Sequence, residues 1–121
     1  MSSGEETIRV LIVDDIPETR ENLKKMLYFE SDMEIVGTAA SGEEAIDLSK
    51  KTQPHIVLMD INMPGLDGIS ASEAITREVP FAQIVMMSVQ SEADYLRRSM
   101  LAGARDFLTK PFTMDELIST V

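Results

Sequence analysis

Short runs of apolar residues along the chain alternate with segments in which apolar residues recur at helical spacing. The first, third and fourth runs are dominated by apolar residues and are too short for a helix, which is typical of strands buried in a parallel sheet, whereas the second and fifth are less apolar. Five such strands, with helices between them and short connections, predict a three-layer α/β sandwich around a parallel sheet. The predicted strands are Thr7 to Val13, Met33 to Ala40, Ile56 to Asp60, Ala82 to Val89 and Arg105 to Thr109.

Capping residues and prolines indicate where the intervening helices begin. Pro17 suits a first helical turn, and Ser41 with Glu44 forms a capping-box pattern that opens a helix through Lys51. Further helices are predicted from Asp67 to Glu78, from Ser91 onward and from Thr113 to Val121. Two apolar stripes predict buried helix faces: Ile16, Leu23, Met26 and Leu27 on the first helix, and Ala93, Leu96 and Met100 on the fourth.

The composition limits the kinds of partner and chemistry open to this chain. It carries 21 acidic and 11 basic residues, for a formal charge of -10, which argues against direct binding of nucleic acid or anionic lipid. The chain has no Cys, so disulfides, thiolate metal sites and a Cys nucleophile are excluded. No apolar run reaches the ~18 residues of a membrane span and no signal peptide is visible, so a cytoplasmic location is expected. We expect a disordered tail over residues 1 to 6 and one domain over residues 7 to 121.

Four of the five predicted strands end in groups that can serve one reaction. The first is followed by Asp14 and Asp15, the third ends at Asp60, the fourth carries Ser88 near its end, and the fifth leads into Lys110. The carboxyl ends of parallel strands are where α/β sheets bind ligands, so we expect these groups to meet. Three carboxylates there repel one another, and a hard divalent cation relieves the repulsion, so Mg²⁺ is the predicted metal.

Asp60 is the predicted reactive residue, because it ends a buried strand and precedes a turn that contains Pro and Gly. As a carboxylate nucleophile it would accept a phosphoryl group and form an aspartyl-phosphate. Mg²⁺ and Lys110 would neutralise the charge on the phosphoryl oxygens. Ser88 would donate its hydroxyl to one of those oxygens, and its inward movement would open a space into which Phe107 turns, which describes a switch.

Taken singly, these residues also have ordinary structural interpretations. Asp14 and Asp15 could merely precede a helix N-terminus, where acids are common. A lone Lys110 would usually be a solvated surface residue, Ser88 could cap the sheet, and Phe107 could be a fixed core residue. Together and in this order, they favour the reactive site.

Two further positions are predicted to be structural. The single histidine, His55, follows Pro54 at the start of a strand and is expected to be solvated, away from the strand-end groups. Asp67 and Gly68 are expected to serve turn chemistry.

The ordered set of strand-end residues resembles the receiver domain of two-component response regulators, over residues 8 to 121. The resemblance implies a doubly wound, flavodoxin-like (βα)5 fold with sheet order 2-1-3-4-5. It also implies that Asp60 is the phosphoacceptor, that Asp15 binds the metal directly and Asp14 through water, and that the carbonyl of Asn62 is a further ligand. Ser88 and Phe107 would be the switch pair, and Lys110 the phosphate-binding lysine before a cis peptide bond to Pro111.

The same resemblance implies a histidine kinase or phosphotransfer protein as the phosphoryl donor. The response would be read on the face formed by the fourth helix, fifth strand and fifth helix, and a homodimer through that face is one arrangement the family implies. Since the last predicted helix has no stop signal, we expect a longer chain with an output domain after it.

One residue departs from the pattern of the receiver family. Val89 follows Ser88 where receivers commonly carry a small residue, so we predict slow self-dephosphorylation.

Three alternative functions agree less well with the residues. A phosphatase of the haloacid dehalogenase type also uses a strand-end Asp, but Asn62 occupies the place of its second acid. A receiver that only mediates protein contacts is disfavoured because the acids, Ser88 and Lys110 are all present. A flavin or dinucleotide site is disfavoured because no Gly-rich or Ser/Thr-rich phosphate loop follows the first strand.

Overall fold

The computed structural model describes residues 7–28, 30–61, 63, 65–88, 93–101, 103–109 and 116, with the backbone alone for 93–96, 107 and 109. Strands and helices alternate along the chain as predicted. They are β1 (Ile8–Val13), α1 (Pro17–Tyr28), β2 (Met33–Ala39), α2 (Gly42–Thr52), β3 (Ile56–Asp60), α3 (Gly68–Glu78), β4 (Gln83–Ser88), α4 (Ala93–Leu101) and β5 (Ala104–Thr109). Of the predicted fifth helix, Thr113 to Val121, only Glu116 is described, and it is helical.

The five strands form one sheet in the order β2-β1-β3-β4-β5, and each neighbouring pair is parallel. This confirms the predicted α/β architecture and the strand order that the family resemblance implies. In this order β3 lies at the centre, between β1 and β4. The topology therefore brings the end of β3 next to the ends of two other strands.

The sheet is buried on both faces, because helices pack on each side of it. Successive side chains of a strand point to opposite faces, so each strand contributes to both cores. On one face, alternate residues of the central strands pack against α2 and α3; on the other face, the intervening residues pack against α1. The first cluster includes Leu11, Val13, Val57, Met59, Ala45, Ala71 and Ile75, and the second includes Val10, Ile12, Leu58, Leu23 and Leu27. This arrangement explains the continuous apolar runs of the sequence.

Local capping signals predict the helix starts well. The Ser41 hydroxyl accepts a hydrogen bond from the N–H of Glu44 at 3.1 Å, and the Glu44 carboxylate accepts one from the N–H of Ala40 at 2.8 Å. Asp67 caps α3 by accepting from the N–H of Ser70 at 2.8 Å. Asp67 is therefore the cap of a helix, a more specific role than the predicted turn.

The prediction of burial is wrong for two residues of the apolar stripes. Ile16 precedes α1 and is 49% exposed, and Met100 on α4 is 41% exposed. Ser99 is buried on α4 instead. Apolar spacing identifies a helix but leaves its rotation uncertain by one position, about 100°. Within the described part of the chain, no helix is both long and apolar enough to cross a bilayer.

Candidate functional site

The register of the two central strands brings the predicted acids together. Val13 is paired with Met59, so Asp14 and Asp60 are the next positions along β1 and β3 at the same edge. Asp14, Asp15 and Asp60 each offer a carboxylate oxygen, and these oxygens all lie within 4.8 Å of one another. Asp14 and Asp60 are buried and Asp15 is half-buried. The prediction that the three carboxylates meet is confirmed.

The acid cluster fits a hard divalent cation. At 4.8 Å and an effective dielectric constant near 20, two carboxylates repel by about 3 kcal/mol, and burial of Asp14 and Asp60 keeps water from screening them fully. The donor set consists of oxygen alone, which suits Mg²⁺ or Ca²⁺ better than a softer metal. The cluster can therefore hold the metal that the sequence predicts.

Main-chain contacts to β4 and to α3 hold the residue that directly follows Asp60. Beyond the end of β3, the N–H of Ile61 donates to the carbonyl of Met87 on β4 at 3.0 Å, which extends the ladder past Asp60. The carbonyl of Ile61 accepts from the N–H of Gly68 at 3.1 Å. Gly68 lies so close that a Cβ on it would be 2.2 Å from the carbonyl oxygen of Asp60. Glycine at this position therefore lets the start of α3 approach Asp60.

Asp14 is fixed at its amide, its carboxylate and its carbonyl. Its N–H donates to Ala39 at 3.0 Å, and its Oδ1 accepts from the N–H of Ile16 at 2.9 Å. Its carbonyl accepts from Nη1 of Arg20 at 2.6 Å. No role was predicted for Arg20. The sequence signal for a local partner was its place in the first turn of α1, where a cation opposes the helix dipole unless such a partner compensates.

The ends of β4 and β5 provide the other predicted positions. Ser88 is buried at the end of β4, and the register pairs Asp60 with Met87, so Ser88 lies one position further along the neighbouring strand. Phe107 is paired with Met86 through its backbone, and Thr109 with Ser88. Lys110, which follows Thr109, lies outside the described residues, as do Asn62, Val89, Pro111 and the side chain of Phe107.

His55 has a structural contact at the opposite end of the sheet. Its Nδ1 accepts a hydrogen bond from the N–H of Arg9 at 3.0 Å, and its ring lies 6.2 Å from that of Phe81, centroid to centroid. The side chain is half-buried, so the expectation that it is solvated is only partly right. Its location away from the acid cluster is as predicted.

Comparison with known proteins now identifies the family. The sequence model of one protein family, the response regulator receiver domain, matches residues 10–121. The chain belongs to this family. A curated relative is the transcriptional regulatory protein MctR of Rhizobium johnstonii, 36% identical over 94% of this chain and 53% of its own length. The receiver domain thus spans about half the length of that relative.

Solved receiver structures share its fold. The response regulator domain of Thermotoga maritima CheB superposes with a TM-score of 0.87 at 34% identity, covering 94% of this chain and 92% of that chain. The CheX-CheY-BeF3-Mg²⁺ complex from Borrelia burgdorferi gives 0.89 at 31% identity, over 95% of this chain and 87% of that chain. The receiver fold predicted from the strand-end residues is thereby confirmed, and the chain is a receiver of two-component signalling.

Proposed function

We propose that Asp60 is the phosphoacceptor of this receiver and that Asp14, Asp15 and Asp60 hold Mg²⁺ together with the carbonyl of Asn62. The observation that carries this proposal is the convergence of three carboxylate oxygens within 4.8 Å at the end of the central strand. Asp60 is the member on β3, and it is 4% exposed, so it retains a small accessible surface. The Borrelia burgdorferi structure, which contains Mg²⁺ and BeF3, supports the same metal for this chain.

In the proposed reaction, a carboxylate oxygen of Asp60 attacks the phosphorus atom of a phosphohistidine in a partner kinase. An O–P bond forms and the N–P bond breaks, and the leaving imidazole nitrogen keeps the electron pair and takes a proton from solvent. The metal, when bound, supplies positive charge for the phosphoryl oxygens. Asp14 and Asp15 would hold it, and the main-chain contacts of Ile61 and Gly68 would keep Asp60 aligned with the donor.

Three further residues complete the proposed switch. Lys110 would contribute an ammonium group that pairs with a phosphoryl oxygen. Ser88, buried one position beyond the partner of Asp60, would donate its hydroxyl to another, and Phe107 on the adjacent β5 would turn inward in response. The face built from α4, β5 and the following helix would carry the change to an output domain or partner, or to a second copy of the chain.

The proposed physiological role is a cytoplasmic phosphorylation switch whose only chemistry is phosphorylation and slow dephosphorylation of Asp60. The full protein would carry a transcription-regulating output domain, since this chain spans only 53% of the length of its relative MctR, a transcriptional regulatory protein. The receiver domain itself would occupy residues 7 to 121.

Acetyl phosphate provides a direct test, because it can donate a phosphoryl group without the kinase. Intact-mass spectrometry should detect one added phosphoryl group on the wild type with Mg²⁺ and none after chelation. Asp60→Asn should abolish the adduct. Asp67→Asn is the matched control. Asn caps a helix as well as Asp does, and this substitution removes one negative charge, as Asp60→Asn does.

Three results would contradict the proposal. An unaltered adduct on Asp60→Asn would place the phosphoryl group elsewhere, and a wild type that never reacts would make the domain a module for protein contacts alone. Multiple turnover of phosphate esters would instead favour a phosphatase.

A further inference from the structure

We propose that Arg20 is a positioning residue that orients the two metal-binding acids of β1 for Mg²⁺. This inference rests on the proposed function of the acid cluster. Its starting observation is the 2.6 Å hydrogen bond from Nη1 of Arg20 to the carbonyl oxygen of Asp14. Arg20 is half-buried, and its own N–H donates to the carbonyl of Ile16 at 3.2 Å, so both its backbone and its side chain are tied to this turn.

The bond controls more than Asp14, because the carbonyl of Asp14 belongs to the peptide group that joins it to Asp15. A peptide group is planar, so the direction of this carbonyl also sets the direction of the N–H and Cα of Asp15. The N–H of Asp14 and its carboxylate are fixed by Ala39 and Ile16. Arg20 therefore restrains the backbone rotation between Asp14 and Asp15, on which the relative direction of the two carboxylates depends.

The guanidinium has a second effect, of opposite sign for metal binding. It is permanently charged, and it is bonded to the carbonyl of Asp14, one of the three acids that repel one another. Its charge stabilises the metal-free cluster and repels Mg²⁺. Orientation and charge thus predict opposite results when Arg20 is replaced by a neutral residue: loss of orientation weakens Mg²⁺ binding, and loss of charge strengthens it.

We infer that orientation dominates. Mg²⁺ requires near-ideal octahedral geometry, so a small error in the angle between two ligands is costly. The guanidinium is bonded to a carbonyl and is partly exposed, so solvent screens its charge. Residues that hold metal ligands from behind typically change metal affinity by about 10- to 100-fold when removed. We expect Arg20→Met to weaken Mg²⁺ binding within that range.

Arg9 provides a matched control. It is also a half-buried arginine whose guanidinium donates to a main-chain carbonyl, through Nε to Gln53 at 3.1 Å. Arg9 lies on β1, five residues before Asp14, and is therefore about 16 Å from the acids along the strand direction. Arg9→Met should therefore lose a comparable hydrogen bond and some stability, but leave Mg²⁺ affinity unchanged.

The experiment is a Mg²⁺ titration of the wild type, Arg20→Met and Arg9→Met, followed by backbone amide shifts in NMR spectra, since the chain has no Trp to report binding by fluorescence. The same spectra verify that each variant is folded. If Arg20→Met does not fold, Arg20→Gln replaces it, because the shorter amide cannot span the same distance.

Weaker binding in the Arg20 variant alone supports the inference. Equal affinity in all three proteins, tighter binding in the Arg20 variant, or equal weakening in both variants overturns it. A wild type that does not bind Mg²⁺ would instead contradict the proposed function, so the two failures are distinct.

Discussion

Replacement of Gly68 by alanine should force the start of α3 away from Asp60. The added Cβ would lie 2.2 Å from the carbonyl oxygen of Asp60 and 2.9 Å from the Cα of Ile61. Both are main-chain atoms, so no side-chain rotation can relieve the contact. The shorter distance is about 1.2 Å below the 3.4 Å at which ordinary van der Waals contact begins, and the backbone has to move by roughly that amount.

The size of the effect follows from two opposing contributions. Overpacking of a well-packed site costs about 1–3 kcal/mol, and rigid main-chain atoms on the other side favour the upper end of that range. Alanine in a helix is favoured over glycine by about 1 kcal/mol, which offsets part of the cost. We expect Gly68→Ala to lower the free energy of unfolding by about 2 kcal/mol. If Asp60 moves by about 1 Å, its phosphorylation should also slow by roughly 100-fold.

Urea unfolding followed by circular dichroism measures the first effect, and the rate of labelling by acetyl phosphate measures the second. Gly37→Ala is the control, because its Cβ would contact only the ends of the Leu11 and Leu48 side chains, at 3.5 and 3.8 Å. That variant should match the wild type in stability within about 1 kcal/mol and should be labelled at the same rate. A Gly68→Ala protein as stable and as reactive as Gly37→Ala would refute the close-approach argument.

Three other substitutions test separate parts of the structure. Asp15→Asn should raise the stability of the metal-free protein by about 1 kcal/mol in urea unfolding, because it removes one charge from the half-buried cluster, and the gain should disappear when Mg²⁺ is added. Ser41→Ala should lower stability by about 1 kcal/mol without changing Mg²⁺ affinity, since the Ser41 hydroxyl accepts from the N–H of Glu44 at the start of α2; a loss of affinity would contradict this. Val89→Ala should shorten the lifetime of the aspartyl-phosphate, measured by decay of the labelled mass, and an equal lifetime would remove the idea that Val89 restricts access to the phosphoryl group.

The sequence was sufficient for features that depend on local patterns. Continuous apolar runs indicated strands buried on both faces, and Ser41 with Glu44 indicated the start of α2. The meeting of Asp14, Asp15 and Asp60 was also predictable, because parallel strands present their carboxyl ends at one edge.

Features that depend on how elements approach each other were not predictable in the same way. The rotation of α4, which buries Ser99 and exposes Met100, depends on packing that apolar spacing does not specify. Gly68 looked like a turn residue, and only the distance to Asp60 explains why no side chain fits there. The contact of Arg20 was not predicted because its partner is a main-chain carbonyl, which no residue type identifies; only the place of a cation in the first turn of α1 indicated a local partner.

The contacts that fix the acids have a consequence for how such a domain can diversify. The N–H groups of Asp14 and Ile61 donate to the carbonyls of Ala39 on β2 and Met87 on β4, and these main-chain groups are present whatever the side chains are. The outward-facing side chains of α2 and α3 take no part in those anchors. Their identities can therefore change while these anchors of the acid cluster are kept.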